Sequence, residues 1–353
     1  MASWTKAWLP RENGGQVEMV LPEVVSASRS TDIPAFYADW FFHRLKVGYS
    51  VWTNPFNGAR SYISYQNTRF IVFWSKNPRP LLSHLDELKA RGIDCYIQYT
   101  LNDYQLEGLE PEVRPLGERI DTFLRLVDRL GKERVIWRFD PLILTDQIDK
   151  DSLLEKVNRI GERIHGYTEK LVFSFADIEG YRKVKGNLEQ QGVRYREWDE
   201  FSMRKMAEGL ARLNERWGLT LATCGEKIDL SDLGIVRNHC VDDELMIRLA
   251  YKDKALMDFL KVQIAPIPSP SLFGSEVALP ADAIVLPGGL YATRGNNRDN
   301  GQRLFCGCMR SKDIGEYNTC AHGCAYCYAN SSPAAGLANY NAHKSNPYGE
   351  SIR

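Results

Sequence analysis

The sequence predicts an α/β protein built as a (β/α)8-like, TIM-type barrel, full or partial, with a cysteine-rich C-terminal extension. Three observations predict it. Short β-rich runs alternate with helical patterns along most of the chain. Several of the runs are apolar on both faces, as buried parallel strands are. Polar residues follow the runs, and in a barrel the carboxyl ends of the strands carry the chemistry. The 353 residues suffice for one large barrel or for two domains.

The runs are, in order, "EVVSAS" at 23, "YSVWTN" at 49, "RFIVFW" at 69, "CYIQYT" at 95, "RVIWRF" at 134, "KLVFSF" at 170 and "LTLATC" at 219; "AIVLPG" at 283 is the candidate for an eighth strand. Helical patterns separate them. "NPRPLLSHLDELKARG" has prolines in its first turn, Leu82, Leu85 and Leu88 on one face, and Gly92 at its end. "LGERIDTFLRLVDRLG" repeats the scheme with Ile120, Phe123, Leu124, Val127 and Gly131. Strand, helix, strand implies parallel pairing through crossover helices. The proline-rich segment from Pro266 to Pro287 reads as a linker, which gives a barrel domain over 1–265 and a cysteine-rich segment over 266–353, packing on the barrel mouth.

Lys plus Arg and Asp plus Glu balance at 45 each, so no global positive field advertises nucleic acid or a membrane surface. The start, "MASWTKAWLPRENGGQ", lacks a signal-peptide pattern, and no apolar run of about 18 residues is present. The expectation is a cytoplasmic protein with no membrane partner. In that reducing compartment the eight cysteines are better explained by metal ligation than by a disulfide framework. Cys95, inside an apolar-aromatic run, reads instead as a buried core thiol.

The candidate site residues lie at the strand ends: "SRSTD" (Ser28 to Asp32) after the first, Asn54 after the second, and "SKN" (Ser75 to Asn77) after the third. Asn102 and Asp103 follow the fourth, Arg138 and Asp140 bracket the end of the fifth, Asp177 follows the sixth, and Cys224 with Glu226 follows the seventh. Any one of these can be a helix cap or turn. Together, Arg29, Asp32, Asn54, Lys76, Asn77, Arg138 and Asp140 are expected to line a pocket for a small-molecule substrate. Arginine there is a natural partner for a carboxylate or phosphate. Arg138 and Asp140 can equally form a structural ion pair.

"CAHGCAYC" places Cys320, Cys324 and Cys327 at C-x-x-x-C-x-x-C spacing, and Gly323 lets the short loop turn around a metal group. Structural zinc wants four ligands in a closed tetrahedron. A [4Fe-4S] cluster can be held by three cysteines, with one iron left open. This spacing, with Tyr326 before the last cysteine, resembles the signature loop of radical S-adenosylmethionine (SAM) enzymes. The resemblance implies that Cys320, Cys324 and Cys327 hold a [4Fe-4S] cluster whose open iron is chelated by the amino and carboxylate groups of SAM. It further implies reductive cleavage of SAM to a 5′-deoxyadenosyl radical, with electrons from a donor such as a ferredoxin or flavodoxin. Tyr326, Asn330, Ser331 and the glycines Gly288 and Gly289 of "LPGGLYATRG" are the candidates for contact with that cofactor; Asn330, Ser331 or Arg138 would meet the SAM carboxylate.

In that superfamily the cysteine loop normally follows the first strand, and here it follows nearly all of them. The pieces "SASRSTDIP", "TNPFNG", "FWSKNP" and "WRFDP" with the tail "CGCMRSKDIGEYNTCAHGCAYCYAN" resemble the uncharacterised bacterial family catalogued as domain of unknown function 1848. A closed barrel brings its last loops beside its first, so a terminal cluster loop can reach the same face.

Cys224, Cys240, Cys306 and Cys308 remain, enough to close a second [4Fe-4S] cluster. A zinc site from the same four, or from Cys306, Cys308, Cys324 and Cys327, is the alternative; His322 could also ligate zinc, or could face solvent or make a hydrogen bond. Two other functions stay open. "CAYCY" also looks like the cluster loop of spore photoproduct lyase relatives. "GYRKVKGNLEQQGVRYREW" (Gly180 to Trp198) interleaves basic and aromatic residues as single-strand-binding surfaces do, so nucleic-acid lesion chemistry is the second reading. A zinc-stabilised binding module is the third. The polar tail after Tyr328 cannot build its own core, so it is either disordered or laid across the barrel mouth.

Overall fold

The structure, a computed structural model, describes residues 4–268 and 279–353. Its centre is an eight-stranded sheet, parallel throughout. The strands are β1 (Val24–Ala27), β2 (Phe70–Ser75), β3 (Asp94–Thr100), β4 (Val135–Leu142), β5 (Lys170–Phe175), β6 (Thr220–Thr223), β7 (Val236–Arg237) and β8 (Lys312–Asp313). Their order across the sheet is β7-β6-β5-β4-β3-β2-β1-β8.

Six of the predicted runs form the β1 to β6 core. The barrel does not close. β7 and β8 are the two edges of an open sheet rather than neighbours, which corrects the expectation of a closed (β/α)8 barrel. The reason is visible at the β7 edge. After these two exposed residues the chain turns into helices Asp243–Ala250 and Lys254–Phe259, and then into an antiparallel sheet of Val262–Pro266, Leu290–Arg294 and Ile284–Leu286.

Two strand assignments change with it. "YSVWTN" is not the second parallel strand: Tyr49–Thr53 pairs antiparallel with Arg60–Ser64 in a four-stranded side sheet with Lys6–Pro10 and Gln16–Val20. "AIVLPG" is not the eighth, because Ile284–Leu286 belongs to the antiparallel sheet and alternates between buried and exposed positions. The linker expected from Pro266 to Pro287 lies partly outside the described residues. Its described ends, 262–266 and 284–294, meet in that same sheet.

Strand residues alternate between two cores. Val25, Ala27, Ile71, Phe73, Ile97, Tyr99, Trp137 and Phe173 pack under the crossover helices. These include Leu116–Leu130, Lys150–Ile164 and Glu200–Trp217. Val24, Phe70, Val72, Tyr96, Ile136, Val172 and Ala222 face the opposite way, against Leu245, Met246, Leu256, Met257, Ile284 and Ala292. Each fully buried side chain of this size contributes roughly 1.5–3 kcal/mol. The "LGERIDTFLRLVDRLG" helix buries Ile120 and Phe123 and ends at Gly131, whose φ of 96° favours glycine. No helix among the described residues is long and apolar enough to cross a membrane.

β8 answers the question of chain order. Lys312 and Asp313 pair in parallel with Val25 and Ser26 of β1. The last strand therefore runs beside the first and delivers the cysteine loop to the same end of the sheet. The tail then forms helix Pro333–His343 and returns to the side sheet. There Glu350 accepts from Tyr49 Oη (2.6 Å) and Arg11, and Trp40 Nε1 donates to Gly349 O.

Candidate metal centres

The loop after β1 and the chain entering the cysteine motif are zipped together. Asp313 accepts hydrogen bonds from the hydroxyls of Ser26 (2.9 Å) and Ser28 (2.8 Å) and from the Arg29 N–H (2.9 Å). Thr31 Oγ1 donates to Glu316 O (2.7 Å), and Tyr37 Oη donates to Thr319 O (2.6 Å). Gly315 permits this approach, because a Cβ there would stand 1.8 Å from Ser28 Oγ.

Cys320, Cys324 and Cys327 follow directly, with Gly323 at φ 68° making the turn. Burial raises all three thiols, Cys320 to about 12. His322, buried, hydrogen-bonds Asp32 Oδ2 through Nε2 (2.7 Å). That carboxylate also accepts the Lys76 N–H (2.8 Å) and caps helix Ile33–Phe36. Lys76 Nζ donates to Glu110 Oε1 (2.7 Å) and to Tyr326 Oη (3.0 Å). Tyr326 in turn donates to Glu110. Burial pushes the Glu110 carboxyl up, but Lys76 and Arg119 more than offset it and hold it at about 2. Asn330 donates its N–H to Cys327 Sγ (3.3 Å) and its Nδ2 to Cys320 O (2.7 Å).

The other four cysteines converge from three chain segments. Cys224 leaves β6, Cys240 follows β7, and Cys306 and Cys308 precede β8. Cys224 Sγ and Cys240 Sγ are 3.2 Å apart. Cys308 Sγ accepts the N–H groups of Cys240 (3.2 Å) and Val241 (3.4 Å). Cys240 Sγ also accepts from Arg138 Nη1 and Asn238 Nδ2, each at 3.1 Å. Its thiol is driven well down, by hydrogen bonds from the Cys224 and Cys308 thiols and by the Arg138 charge. Cys224 and Cys308 are correspondingly raised. Arg138 is buried, donates to Gln98 Oε1 (3.0 Å), pairs with Asp140, and stacks 5.3 Å from the Trp74 ring centre. Arg29 stacks on the same ring at 5.4 Å.

A hydrogen-bonded path joins the two sets. Asp140 donates its N–H to Asn102 Oδ1 (2.9 Å), and Asn102 Nδ2 donates to Tyr326 Oη (3.0 Å). The sheet end thus gathers Arg29, Asp32, Lys76, Arg138 and Asp140 around both cysteine sets.

Other expected residues lie apart. Asn54 Oδ1 accepts the Phe56 N–H in the side-sheet turn, and Asn77 donates its N–H to Ser75 Oγ. Ser331 is exposed and donates its N–H to Asn318 Oδ1. Gly288 and Gly289, both at positive φ, form the hairpin turn of the antiparallel sheet. Cys95 is a buried core thiol in β3, raised to about 12 by burial. Residues missed by sequence reasoning are Glu110, Trp74, Gln98 and Asn238. Gln98 did carry a signal: it is a polar residue inside the apolar "CYIQYT".

Five of the twelve buried side-chain nitrogen and oxygen atoms without a hydrogen-bond partner among the described residues lie at these sets. They are His322 Nδ1, Glu110 Oε2 and Asn330 Oδ1 around the first, and Arg29 Nη2 and Asn238 Oδ1 around the second. Each costs about 1–3 kcal/mol unless a ligand satisfies it. Seven cysteine sulfurs, with Arg138, Asn238 and two backbone N–H groups donating to those of the second set, form a donor set that fits a metal–sulfur group; the unpartnered oxygens of Glu110, Asn330 and Asn238 are acceptors and suit a donor instead. By contrast, His239, Asp242 and Asp243, the one grouping at mononuclear metal spacing among the described residues, is already satisfied: Lys170 pairs with Asp242 and Arg294 with Asp243. A cavity of about 580 Å³ lies at the tail, lined by Arg44, Arg60, His343 and Glu350 and by none of the cysteines.

The model of the family described as "Domain of unknown function (DUF1848)" matches residues 24–329. The chain belongs to this family. The matched span takes in the whole eight-stranded sheet and both cysteine sets, so both are part of the family's domain. No curated protein matches the chain. A solved structure described as a "putative alpha-L-fucosidase" from Bacteroides thetaiotaomicron is 13% identical, over 72% of this chain and 95% of its own, with a TM-score of 0.26. A likeness at that level carries no argument.

Proposed function

We propose that this member of the family is a radical SAM-like iron–sulfur enzyme acting on a small-molecule substrate. The observation that carries the reading is the placement of the C-x-x-x-C-x-x-C loop. β8 sets it beside β1, at the carboxyl ends of parallel strands, where a loop following the first strand would also lie. Cys320, Cys324 and Cys327 would hold a [4Fe-4S] cluster with one open iron, and Cys224, Cys240, Cys306 and Cys308 a second, closed one. The first cluster, when bound, supplies the electron that cleaves SAM to methionine and a 5′-deoxyadenosyl radical.

This chain's own residues would bind and orient. Glu110 and Asn330 each carry a buried oxygen free to accept from an ammonium group such as that of SAM. Lys76 holds Tyr326 and Glu110 against the loop. Arg29, with an unpartnered Nη2, is the donor best suited to a carboxylate or phosphate on the substrate. A cytoplasmic setting and a ferredoxin- or flavodoxin-type electron donor belong to the same reading, since free thiols need a reducing compartment.

The test is anaerobic reconstitution with iron and sulfide, followed by SAM and dithionite. 5′-Deoxyadenosine detected by mass spectrometry supports the proposal. A reconstituted, iron-loaded protein that leaves SAM intact contradicts it.

A second reading, nucleic-acid lesion chemistry, is favoured by one contact region. Helix Arg182–Gln190 packs on the cysteine loop: Asn187 Nδ2 donates to Cys327 O (3.3 Å), and Lys183 lies 4.9 Å from the Tyr317 ring centre. The remainder of that basic stretch turns away, with Trp198 buried and Tyr195 bonded to Glu179. Salt-sensitive binding of single-stranded or damaged DNA would favour this second reading, and no binding at low salt would remove it.

A further inference from the structure

The two cysteine sets differ in what surrounds their sulfurs, and the difference bears on where an electron would reside. At the second set four donors reach sulfur: Arg138 Nη1 and Asn238 Nδ2 on Cys240, and the N–H groups of Cys240 and Val241 on Cys308. At the first set the Asn330 N–H donates to Cys327 Sγ (3.3 Å), and the N–H groups of Asp32 and His322 beside Cys320 and of Ala329 beside Cys327 also favour the thiolate, but no charged donor is hydrogen-bonded to a sulfur there among the described residues.

The fixed charges differ too. Arg138 touches a sulfur directly, and the Arg29 guanidinium stacks beside it on Trp74 without a hydrogen-bond partner for its Nη2. Asp140, Asp313 and Glu226 are the nearby carboxylates; Asp140 is spent on Arg138, and burial pushes Glu226 up to about 7. Around the first set the Lys76 ammonium is engaged by Glu110, the Lys183 ammonium lies over the Tyr317 ring near Cys327, and the Asp32 carboxylate stands by its pair with His322.

Adding an electron to a thiolate-bound metal cluster adds negative charge. Hydrogen bonds to the sulfurs and adjacent cations stabilise the reduced form, and so raise the reduction potential. A sulfur environment without a cationic donor, with carboxylates beside it, does the reverse.

We infer that the second cysteine set holds its cluster at a higher reduction potential than the first, and that Arg138 and Asn238 set it there through Cys240. The second set is then the electron-accepting site of the pair. At equilibrium an electron delivered by dithionite or a one-electron carrier protein would reside on a cluster held by the second set before one held by the first, with no bond made or broken. The Arg138–Asp140–Asn102–Tyr326 path links the two loops structurally. The inference rests on the proposal that both sets bind [4Fe-4S] clusters.

The experiment is a potentiometric titration of the anaerobically reconstituted full chain, followed by electron paramagnetic resonance. It is run on the wild type, on Cys324→Ala, which retains the second set, and on Cys306→Ala, which retains the first. Two reduction waves are expected, separated by at least 59 mV, a tenfold difference in the reduced-to-oxidised ratio for one electron. The higher wave should survive in Cys324→Ala and vanish in Cys306→Ala.

Asn238→Leu should lower the higher wave alone, by a tenfold shift in that ratio, again 59 mV. Arg138→Lys should lower it as well. Removal of the fork from Arg138 loosens its hold on Asp140 and can impair folding, so Asn238→Leu is the decisive variant. A reversed assignment of the waves, coincident waves, or a higher wave unmoved by Asn238→Leu overturns the inference while two clusters remain. A protein without iron and acid-labile sulfide overturns the two-cluster reading and the inference together.

Discussion

The two cysteine sets are built in opposite ways. The first is one continuous loop, Cys320 to Cys327, whose thiols are all raised by burial and whose neighbours include Lys76 paired with Glu110, Asp32 paired with His322, and Lys183 near Cys327. The second is assembled from the ends of β6 and β7 and from the segment before β8, and it draws Cys240 down through hydrogen bonds from the Cys224 and Cys308 thiols and, after these, contact with a buried guanidinium. A set carried by one loop can be lost without dismantling the sheet. A set that ties three segments together closes long loops, so whatever it binds contributes to folding.

The largest contrast is in function. Replacement of Cys320, Cys324 or Cys327 by alanine should abolish SAM cleavage and remove roughly half the iron, since cluster thiolates have no surplus. Circular dichroism should show the fold retained. Unfolding on loss of any of these three would break the contrast.

In the second set the expected effect is on stability. Cys240→Ala removes the sulfur beside Arg138 and leaves that buried guanidinium to Asp140 and Gln98 alone, at a cost of about 1–3 kcal/mol. Thermal melts of the four variants Cys224→Ala, Cys240→Ala, Cys306→Ala and Cys308→Ala should all fall below those of the first set, with Cys240→Ala lowest. Equal melts for both sets would count against the division.

Acid sharpens the comparison, because the carboxylate beside the first set, Glu110, is held low whereas Glu226, beside Cys224 of the second set, is pushed up to about 7 by burial. Glu110 titrates at about 2 in the fold against 4.5 ordinarily. Its depressed value stabilises the protein above pH 4.5, and that contribution is lost as pH falls toward 2. The difference corresponds to about 3 kcal/mol. Glu110→Gln should flatten the acid limb of a stability–pH curve, and an unchanged limb would show that Lys76 does not hold this charge.

The smallest effects come from glycines. A Cβ at Gly336 would stand 2.4 Å from the Cys320 carbonyl oxygen and 2.4 Å from Asn330 Nδ2, so Gly336→Ala must displace backbone at the first set. A Cβ at Gly307 would meet the His239 ring at 2.2 Å, a side chain that can swing aside. The first should cost about 1–3 kcal/mol and the second less; chemical denaturation of both variants measures it.

What was legible in the sequence follows the same division. Six parallel strands and the Cys320–Cys327 loop announce themselves through local pattern: apolar runs, proline and glycine punctuation, fixed cysteine spacing. Pairing between distant segments does not. Tyr49–Thr53 looks like its parallel neighbours because a buried run has no mark of its partner's direction, and closure of the barrel was inferred from strand count alone. The short β8 "KD" has no strand signature at all, yet its pairing with β1 positions the cysteine loop. Glu110 was invisible because its role depends on Lys76 and Tyr326 meeting it in space, whereas Arg138 and Asp140 could be read from the end of an apolar strand.

The central claim, that two separate iron–sulfur groups divide the seven cysteines between them, is tested most directly by iron and acid-labile sulfide per chain after anaerobic reconstitution of the wild type, Cys324→Ala and Cys306→Ala. The account predicts about eight irons in the wild type and about four in each variant, with only Cys306→Ala retaining SAM cleavage at the first set. Zinc in place of iron, or about four irons in the wild type that both variants lose alike, would contradict it.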